Sequence, residues 1–88
     1  MDRNEIYKTI LHQRNYLLQR GFAEREIITK IFLTIEDLKK LLVELDEYII
    51  NGVTTKEIKT GVIYKFAGHD LETTNAEKSY IITGITDI

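Results

Sequence analysis

Residues 68–72, with the sequence GHDLE, are the part of this chain best suited to chemistry. They place the imidazole of His69 beside the carboxylates of Asp70 and Glu72, and these groups bind divalent metals or transfer protons. A catalytic zinc takes three protein ligands that converge on the ion, so a site here requires the chain to fold tightly around the metal. Glycine and aspartate are also common in ordinary turns. We therefore expect a turn at this stretch, with no metal and no cofactor.

Other candidates for catalysis are sparse. Ser79 is the only serine, and it lies outside any Gly-x-Ser-x-Gly motif or glycine-rich phosphate loop. The second histidine, His12, falls on the polar side of a predicted helix. We therefore expect no enzymatic activity, and a metal-dependent hydrolase centred on His69 is kept only as a third functional hypothesis.

The composition is that of a small globular protein, with 88 residues, 43% hydrophobic and 30% charged, and no cysteine. The length fits a single domain spanning residues 1–88, and a chain of this size buries only about 60 to 65% of the surface that its unfolded form exposes. Without disulfides or thiolate metal sites, an aliphatic core must supply the stability. A second subunit would bury further apolar surface, so we expect a homodimer.

No apolar run exceeds three residues, which is far below the roughly 20 needed to span a bilayer. The first residues, MDRNEIYKT, include an acidic side chain at position 2 and are followed by no apolar block, unlike a secretory signal. These patterns predict a cytoplasmic protein with no membrane partner.

Two segments have the apolar spacing of amphipathic helices. The first covers residues 3–20, with Asp2 as its N-cap and Gly21 as its stop. The second begins after Thr34, where Thr34 and Asp37 have the spacing of a capping box, and runs to a stop at Asn51 and Gly52. Its apolar stripe is formed by Ile35, Leu38, Leu41, Leu42, Leu45 and Ile49.

Residues 24–33 are ambiguous, because their β-branched side chains favour a strand whereas their spacing also fits a short helix. We favour the helix. Residues 61–66 and 79–85 have strand composition and are separated by a polar tract, which predicts an antiparallel hairpin with a long loop. The expected fold is therefore α+β, with three helices followed by a long-looped β-hairpin, which is the element order of a winged helix. The alternative is α-β-α-β-β with a three-stranded sheet.

The distribution of charge argues against DNA binding through such a fold. The third helix of a winged helix normally enters the major groove, where phosphate charge requires a basic surface. Here the corresponding helix is acidic, with Glu36, Asp37, Glu44, Asp46 and Glu47 against Lys39 and Lys40. A nucleic-acid partner is therefore disfavoured, and a winged-helix-like transcriptional regulator is the alternative function.

Five side chains are candidates for a contact surface with a partner. Arg14 falls inside the apolar stripe of the first helix, where its charge must be paired or reach water. It either pairs with the acidic helix within one subunit or anchors a second chain, and both interpretations place the acidic helix nearby. The other candidates lie off the main apolar stripes, and they are Tyr16, Phe22, Val43 and Ile50.

These observations favour a small, non-enzymatic protein-interaction module that binds and occludes a macromolecular partner. Small size, a non-secreted composition and the lack of recognisable chemistry place it among the accessory or antagonist proteins of bacteria and their phages.

Overall fold

The computed structural model describes residues 1–45 and 63–86. Helix α1 spans Arg3–Gln19, close to the predicted range. The Asp2 side chain accepts a hydrogen bond of 2.9 Å from the Glu5 amide and so caps the first turn. Gly21 follows the helix with φ of +96°, a conformation that glycine adopts without the penalty of a Cβ atom.

The predicted second helix is instead a strand. Residues Glu24–Glu26 form one 3₁₀ turn, and β1 then spans Ile27–Leu33. Side chains along β1 alternate between buried and more exposed positions, which is the period of a strand. The helical interpretation of residues 24–33 is therefore wrong, because three isoleucines and a threonine in this segment fit a pleated surface better than a helix.

Helix α2 begins at Ile35 as predicted, and its described part is Ile35–Leu45. The predicted stop at Asn51 and Gly52 lies outside the described residues. The described strands after it are β2 (Ile63–Phe66), β3 (His69–Thr73) and β4 (Tyr80–Ile85). The α+β class is confirmed, whereas the order of three helices and a hairpin is wrong.

The four strands form one mixed sheet in the order β2-β3-β1-β4. Central strand β1 pairs in parallel with β3 and antiparallel with β4, and β2 pairs antiparallel with β3. The predicted strands near residues 61–66 and 79–85 exist, but they lie at opposite edges of the sheet and do not form a hairpin with each other. The three-stranded alternative lacks β3, which lies inside the tract interpreted as a loop.

Both helices cover one face of the sheet, and no described helix covers the other, which we call the open face. A single hydrophobic cluster contains side chains from both helices and all four strands. Its members are Ile6, Ile10, Ile31, Leu33, Leu38, Leu41, Tyr64, Phe66, Leu71 and Ile81. In the described part of the chain, neither helix combines the length and the apolar character that a bilayer crossing requires.

Candidate functional site

The GHDLE stretch forms the end of a tight hairpin and the start of a strand. The turn consists of Ala67 and Gly68, both with positive φ, so the prediction of a turn holds for Gly68 and is wrong for residues 69–72. From His69 onward the chain is β3, so successive side chains point to opposite faces of the sheet. His69 lies on the helix-covered face, whereas Asp70 and Glu72 lie on the open face. The three groups therefore do not converge on one ion, and no metal-binding cluster occurs among the described residues.

His69 instead lines a cleft of about 340 Å³ at the end of the sheet, together with Arg14, Glu24 and Thr29. One guanidinium nitrogen of Arg14 donates to the Thr29 hydroxyl at 3.0 Å and to the Ile27 carbonyl at 3.2 Å. The other bonds the Glu24 carboxylate at 2.8 Å. Arg14 therefore joins α1 to β1 and to the 3₁₀ turn that precedes it.

The environment of Arg14 resolves the conflict between its charge and its position on the apolar stripe. Its side chain is 12% exposed, and the side chain of its partner Glu24 is 68% exposed. The acidic helix was expected to supply this partner, and that expectation is wrong because the 3₁₀ turn brings Glu24 beside α1. The guanidinium is bonded within the chain to Ile27, Thr29 and Glu24, and the role of Arg14 as an anchor for a second chain stays a prediction.

The ionisation of His69 and of Asp70 responds to this neighbourhood. Burial lowers the pKa of His69 below its ordinary value of 6.5, and the positive charge of Arg14 lowers it further. On the open face, a hydrogen bond from Lys65 and the charge of that lysine lower the pKa of Asp70. The cleft therefore favours a neutral imidazole and the open face favours an ionised carboxylate.

Ser79 has a structural position at the start of α2. Its hydroxyl accepts a hydrogen bond of 2.9 Å from the Thr34 amide and donates to the Asp37 carboxylate. The Thr34 hydroxyl accepts from the Asp37 amide at 3.1 Å, so half of the predicted capping box is present and Ser79 relays the other half. Burial raises the pKa of Asp37, but the Ser79 bond and the charges of the Met1 amine and Lys40 outweigh it and lower the pKa overall.

The open face of the sheet carries a surface that no sequence motif indicated. Four side chains of β1 and β4 form it, and we call it the open-face patch: Ile28, Phe32, Tyr80 and Ile82. Ile28, Tyr80 and Ile82 are 46%, 40% and 54% exposed. The rings of Phe32 and Tyr80 stack on each other with centroids 4.8 Å apart, which fixes both aromatic side chains against the sheet.

Charged side chains border the patch on its β3 side, and one of them, Lys30, lies within it between Ile28 and Phe32 on β1. Across the sheet, Lys30 lies between Ile82 of β4 and Asp70 of β3, and Lys65 of β2 follows Asp70. Glu72 is the neighbour of Phe32 in β3. Asp70 and Glu72 match the polar rim of a protein-protein contact surface, whereas Lys30 adds one charge inside the apolar part.

The predicted contact residues do not form one surface in the described structure. Tyr16 is exposed on α1, where the Arg20 guanidinium lies 4.5 Å from the centre of its ring. Phe22 is partly buried after α1. The side chain of Val43 and the whole of Ile50 lie outside the described residues. The signal that finds the open-face patch is the alternation of residues in β1, which the helical interpretation of residues 24–33 concealed.

No protein-family model matches the chain, and comparisons with curated proteins and with solved structures give no match.

Proposed function

We propose that this chain is a non-enzymatic protein-interaction module that binds and occludes a macromolecular partner through the open-face patch. The observation that carries the proposal is the stacked pair Phe32 and Tyr80, flanked by Ile28 and Ile82 on the face of the sheet that no described helix covers. Aromatic side chains held rigid on a surface are favoured anchors of interfaces, because they bury a large area and lose little conformational entropy.

The chemistry of the patch indicates which kind of partner it fits. The charged side chains in and near the patch are two lysines, Lys30 and Lys65, and two carboxylates, Asp70 and Glu72, so their formal charge is balanced. A nucleic acid favours a surface with excess positive charge, whereas a protein surface that carries both apolar and charged groups complements this balanced patch. The occupant that we propose is therefore a folded protein with an exposed apolar patch.

The alternative function, a winged-helix-like regulator of transcription, loses its architectural support. It required three helices followed by a hairpin, and residues 27–33 form the central strand β1 instead. Direct binding of nucleic acid is tested by the capture experiment described next. The assignment to accessory or antagonist proteins of bacteria and phages remains a prediction.

The experiment is an affinity capture with matched surface variants, using a lysate of the cells in which the protein occurs. Ile82→Lys places a charge in the patch, and Leu11→Lys places the same charge on α1, where Leu11 is 61% exposed. Both positions are exposed, so both variants should fold, and circular dichroism checks this. We expect the wild type and Leu11→Lys to retain one common protein that Ile82→Lys loses.

Two results would contradict the proposal. If Ile82→Lys retains the partner as well as Leu11→Lys does, the patch is not the binding surface. If nuclease treatment of the lysate abolishes the capture, the partner is a nucleic acid and not a protein.

A further inference from the structure

Strand β4 forms one edge of the sheet among the described residues, and the direction of its backbone groups follows from its pairing with β1. The Thr86 amide donates to the Glu26 carbonyl at 2.8 Å, so this pair is of the hydrogen-bonded type. In an antiparallel ladder such pairs recur at every second residue. The amides and carbonyls of Ile81, Thr83 and Ile85 therefore point away from β1, toward the outside of the sheet.

Only one of these outward groups is engaged by a described side chain. Gln13 of α1 donates from Nε2 to the Ile81 carbonyl at 3.1 Å and accepts at Oε1 from the Thr83 hydroxyl at 2.7 Å. The Thr83 hydroxyl also lies 3.1 Å from that of Thr29 in β1. Helix α1 therefore protects the edge at Ile81, and the backbone of Thr83 and Ile85 is left as the part of the edge that accepts another strand.

We propose that β4 pairs antiparallel with β4 of a second copy of this chain, about a two-fold axis at Gly84, which joins the four described strands of each copy into one continuous sheet. In this register the outward groups of Thr83 bond those of Ile85 in the other copy, and symmetry repeats the arrangement. The Ile81 carbonyl keeps its bond to Gln13. A register centred on Thr83 would instead pair Ile81 with Ile85 and would require Gln13 to release that carbonyl.

The side chains of β4 suit pairing with the same strand of a second copy. Residues 80–85 contain no charged side chain and no proline, so two copies of the strand meet without repulsion and without a missing donor. Gly84 faces Gly84 of the other copy across the axis, so the two backbones can approach closely. A Cβ atom added at Gly84 would have no neighbour within 4 Å in its own chain. Ile85, which is partly exposed in one copy, gains a neighbour in the Thr83 side chain of the other.

The pairing goes beyond the proposed function and does not depend on it, because it uses the edge of the sheet and leaves the open-face patch free. In the dimer the two patches become parts of one larger surface.

Single-cysteine variants test the register in a chain that has no cysteine of its own. Gly84 pairs with itself as a non-hydrogen-bonded pair, whose Cα atoms lie about 4.5 Å apart and allow a disulfide. The Cα atoms of Ile82 in the two copies lie about 14 Å apart, because four residues of strand rise separate them. This distance is too long for a disulfide. Under mild oxidation, Gly84→Cys should form covalent dimer at least tenfold faster than Ile82→Cys, and the wild type should sediment as a dimer.

The proposal is overturned if the wild type is a monomer at every concentration, or if Ile82→Cys forms covalent dimer as fast as Gly84→Cys. It is also overturned if Gly84→Cys stays uncrosslinked in a sample that sediments as a dimer.

Amide hydrogen exchange gives a second test that uses the wild-type protein, so no substitution can disturb the pairing. The amides of Thr83 and Ile85 should exchange at least tenfold more slowly in a concentrated sample than in a dilute one. The amides of Ile82 and Gly84 bond β1 and should be protected in both samples. Unprotected exchange at Thr83 and Ile85 in the concentrated sample would overturn the pairing.

Discussion

Arg14 occupies the place where the parallel pairing of β1 and β3 ends. The carbonyl of Ile27 points toward the β3 side of β1, but the paired register with β3 begins only at Lys30 and Asp70. The Arg14 guanidinium reaches this carbonyl from α1 and takes the role of the missing strand. A charge on the apolar stripe of α1 therefore completes the sheet.

This role predicts a difference between the two partners of the ion pair. Arg14→Ala removes hydrogen bonds to the partly buried Ile27 carbonyl and Thr29 hydroxyl, so the free energy of unfolding should fall by about 2 kcal/mol. Glu24→Ala removes an exposed carboxylate and should cost less than about 1 kcal/mol. Urea unfolding of both variants measures the difference. Equal losses of unfolding free energy would show that Arg14 contributes through the ion pair with Glu24 and not through its bonds to the end of β1.

His69 should make stability depend on pH in the neutral range. Its pKa is lowered on folding, because burial and the Arg14 charge disfavour the imidazolium, so the unfolded chain binds the proton more readily. Stability is then fully present above the ordinary pKa of 6.5 and falls as the pH drops from there through the folded-state pKa. Glu24 and Asp70 oppose the shift, and Lys65 adds to it.

His69→Gln should remove this slope and change the free energy of unfolding at pH 8 by less than about 1 kcal/mol. His12→Gln is the control, because it alters an exposed histidine on α1 and keeps His69. Thermal melts of the wild type and both variants between pH 5 and 8 measure the effect. If the stability of His69→Gln still fell with pH as the wild type does, His69 would not be the cause.

At the scale of the elements, the start of α2 depends on a loop that is distant in sequence. Ser79, just before β4, bridges the Thr34 amide and the Asp37 carboxylate. Because the first amides of a helix have no partner within it, this bridge connects the position of the loop to the N-terminus of α2.

Ser79→Ala should therefore lower the free energy of unfolding by about 1 to 2 kcal/mol, since it removes the partners of both groups. Thr74→Ala in the same loop removes only one exposed bond, from the Ala76 amide, and should cost less than about 0.5 kcal/mol. Denaturant titrations of the two variants provide the comparison, and equal losses would contradict the bridging role of Ser79.

The lowered pKa of Asp37 gives the same bridge a dependence on pH. Its stabilisation is present above the ordinary pKa of 3.8 and is lost as the pH falls through the lower pKa of the folded state. Ser79→Ala should weaken this loss in acid, because one cause of the lowered pKa disappears.

The helices were predictable from sequence because their signals are local. Asp2, Gly21 and Thr34 mark helix ends by short-range capping, and the apolar period between them needs no tertiary information. Strand β1 was missed because four of its apolar positions, Ile27, Ile28, Ile31 and Phe32, also fit a helical period, and pairing on both sides decided the outcome. Strand β3 was missed because Asp70 and Glu72 face solvent and gave the tract the composition of a loop.

The open-face patch was hidden for the same reason. Phe32 and Tyr80 are 48 positions apart in sequence, and only the antiparallel register of β1 with β4 places them side by side. A helix at residues 24–33 would have separated Ile28 and Phe32 from β4 altogether. Contact surfaces built from two strands therefore become visible only when the pairing is known.

At the scale of the whole molecule, the described residues form two layers, the sheet and a layer of helices on one of its faces. A chain of 88 residues buries a smaller fraction of its surface than a larger domain does, so its core gives modest stability. Association with a second copy at β4 and with a partner at the open-face patch would each bury apolar surface that the single chain leaves exposed.

Self-association should therefore raise the melting temperature with protein concentration, because mass action stabilises a dimer relative to the unfolded chain. Calorimetry over a hundredfold range of concentration measures the effect, with sedimentation in parallel. A constant melting temperature together with a monomeric sedimentation profile would contradict the dimer.

The affinity of the captured partner for patch variants tests the central claim most directly. Tyr80→Ala removes one ring of the stacked pair, and Tyr16→Ala removes an exposed tyrosine from α1 as a matched control. Titration calorimetry with the purified partner should give at least a tenfold weaker Kd for Tyr80→Ala, which corresponds to about 1.4 kcal/mol, and a change of less than about twofold for Tyr16→Ala. Equal affinities of the wild type and Tyr80→Ala would show that the partner binds elsewhere and that the open-face patch is not the functional surface.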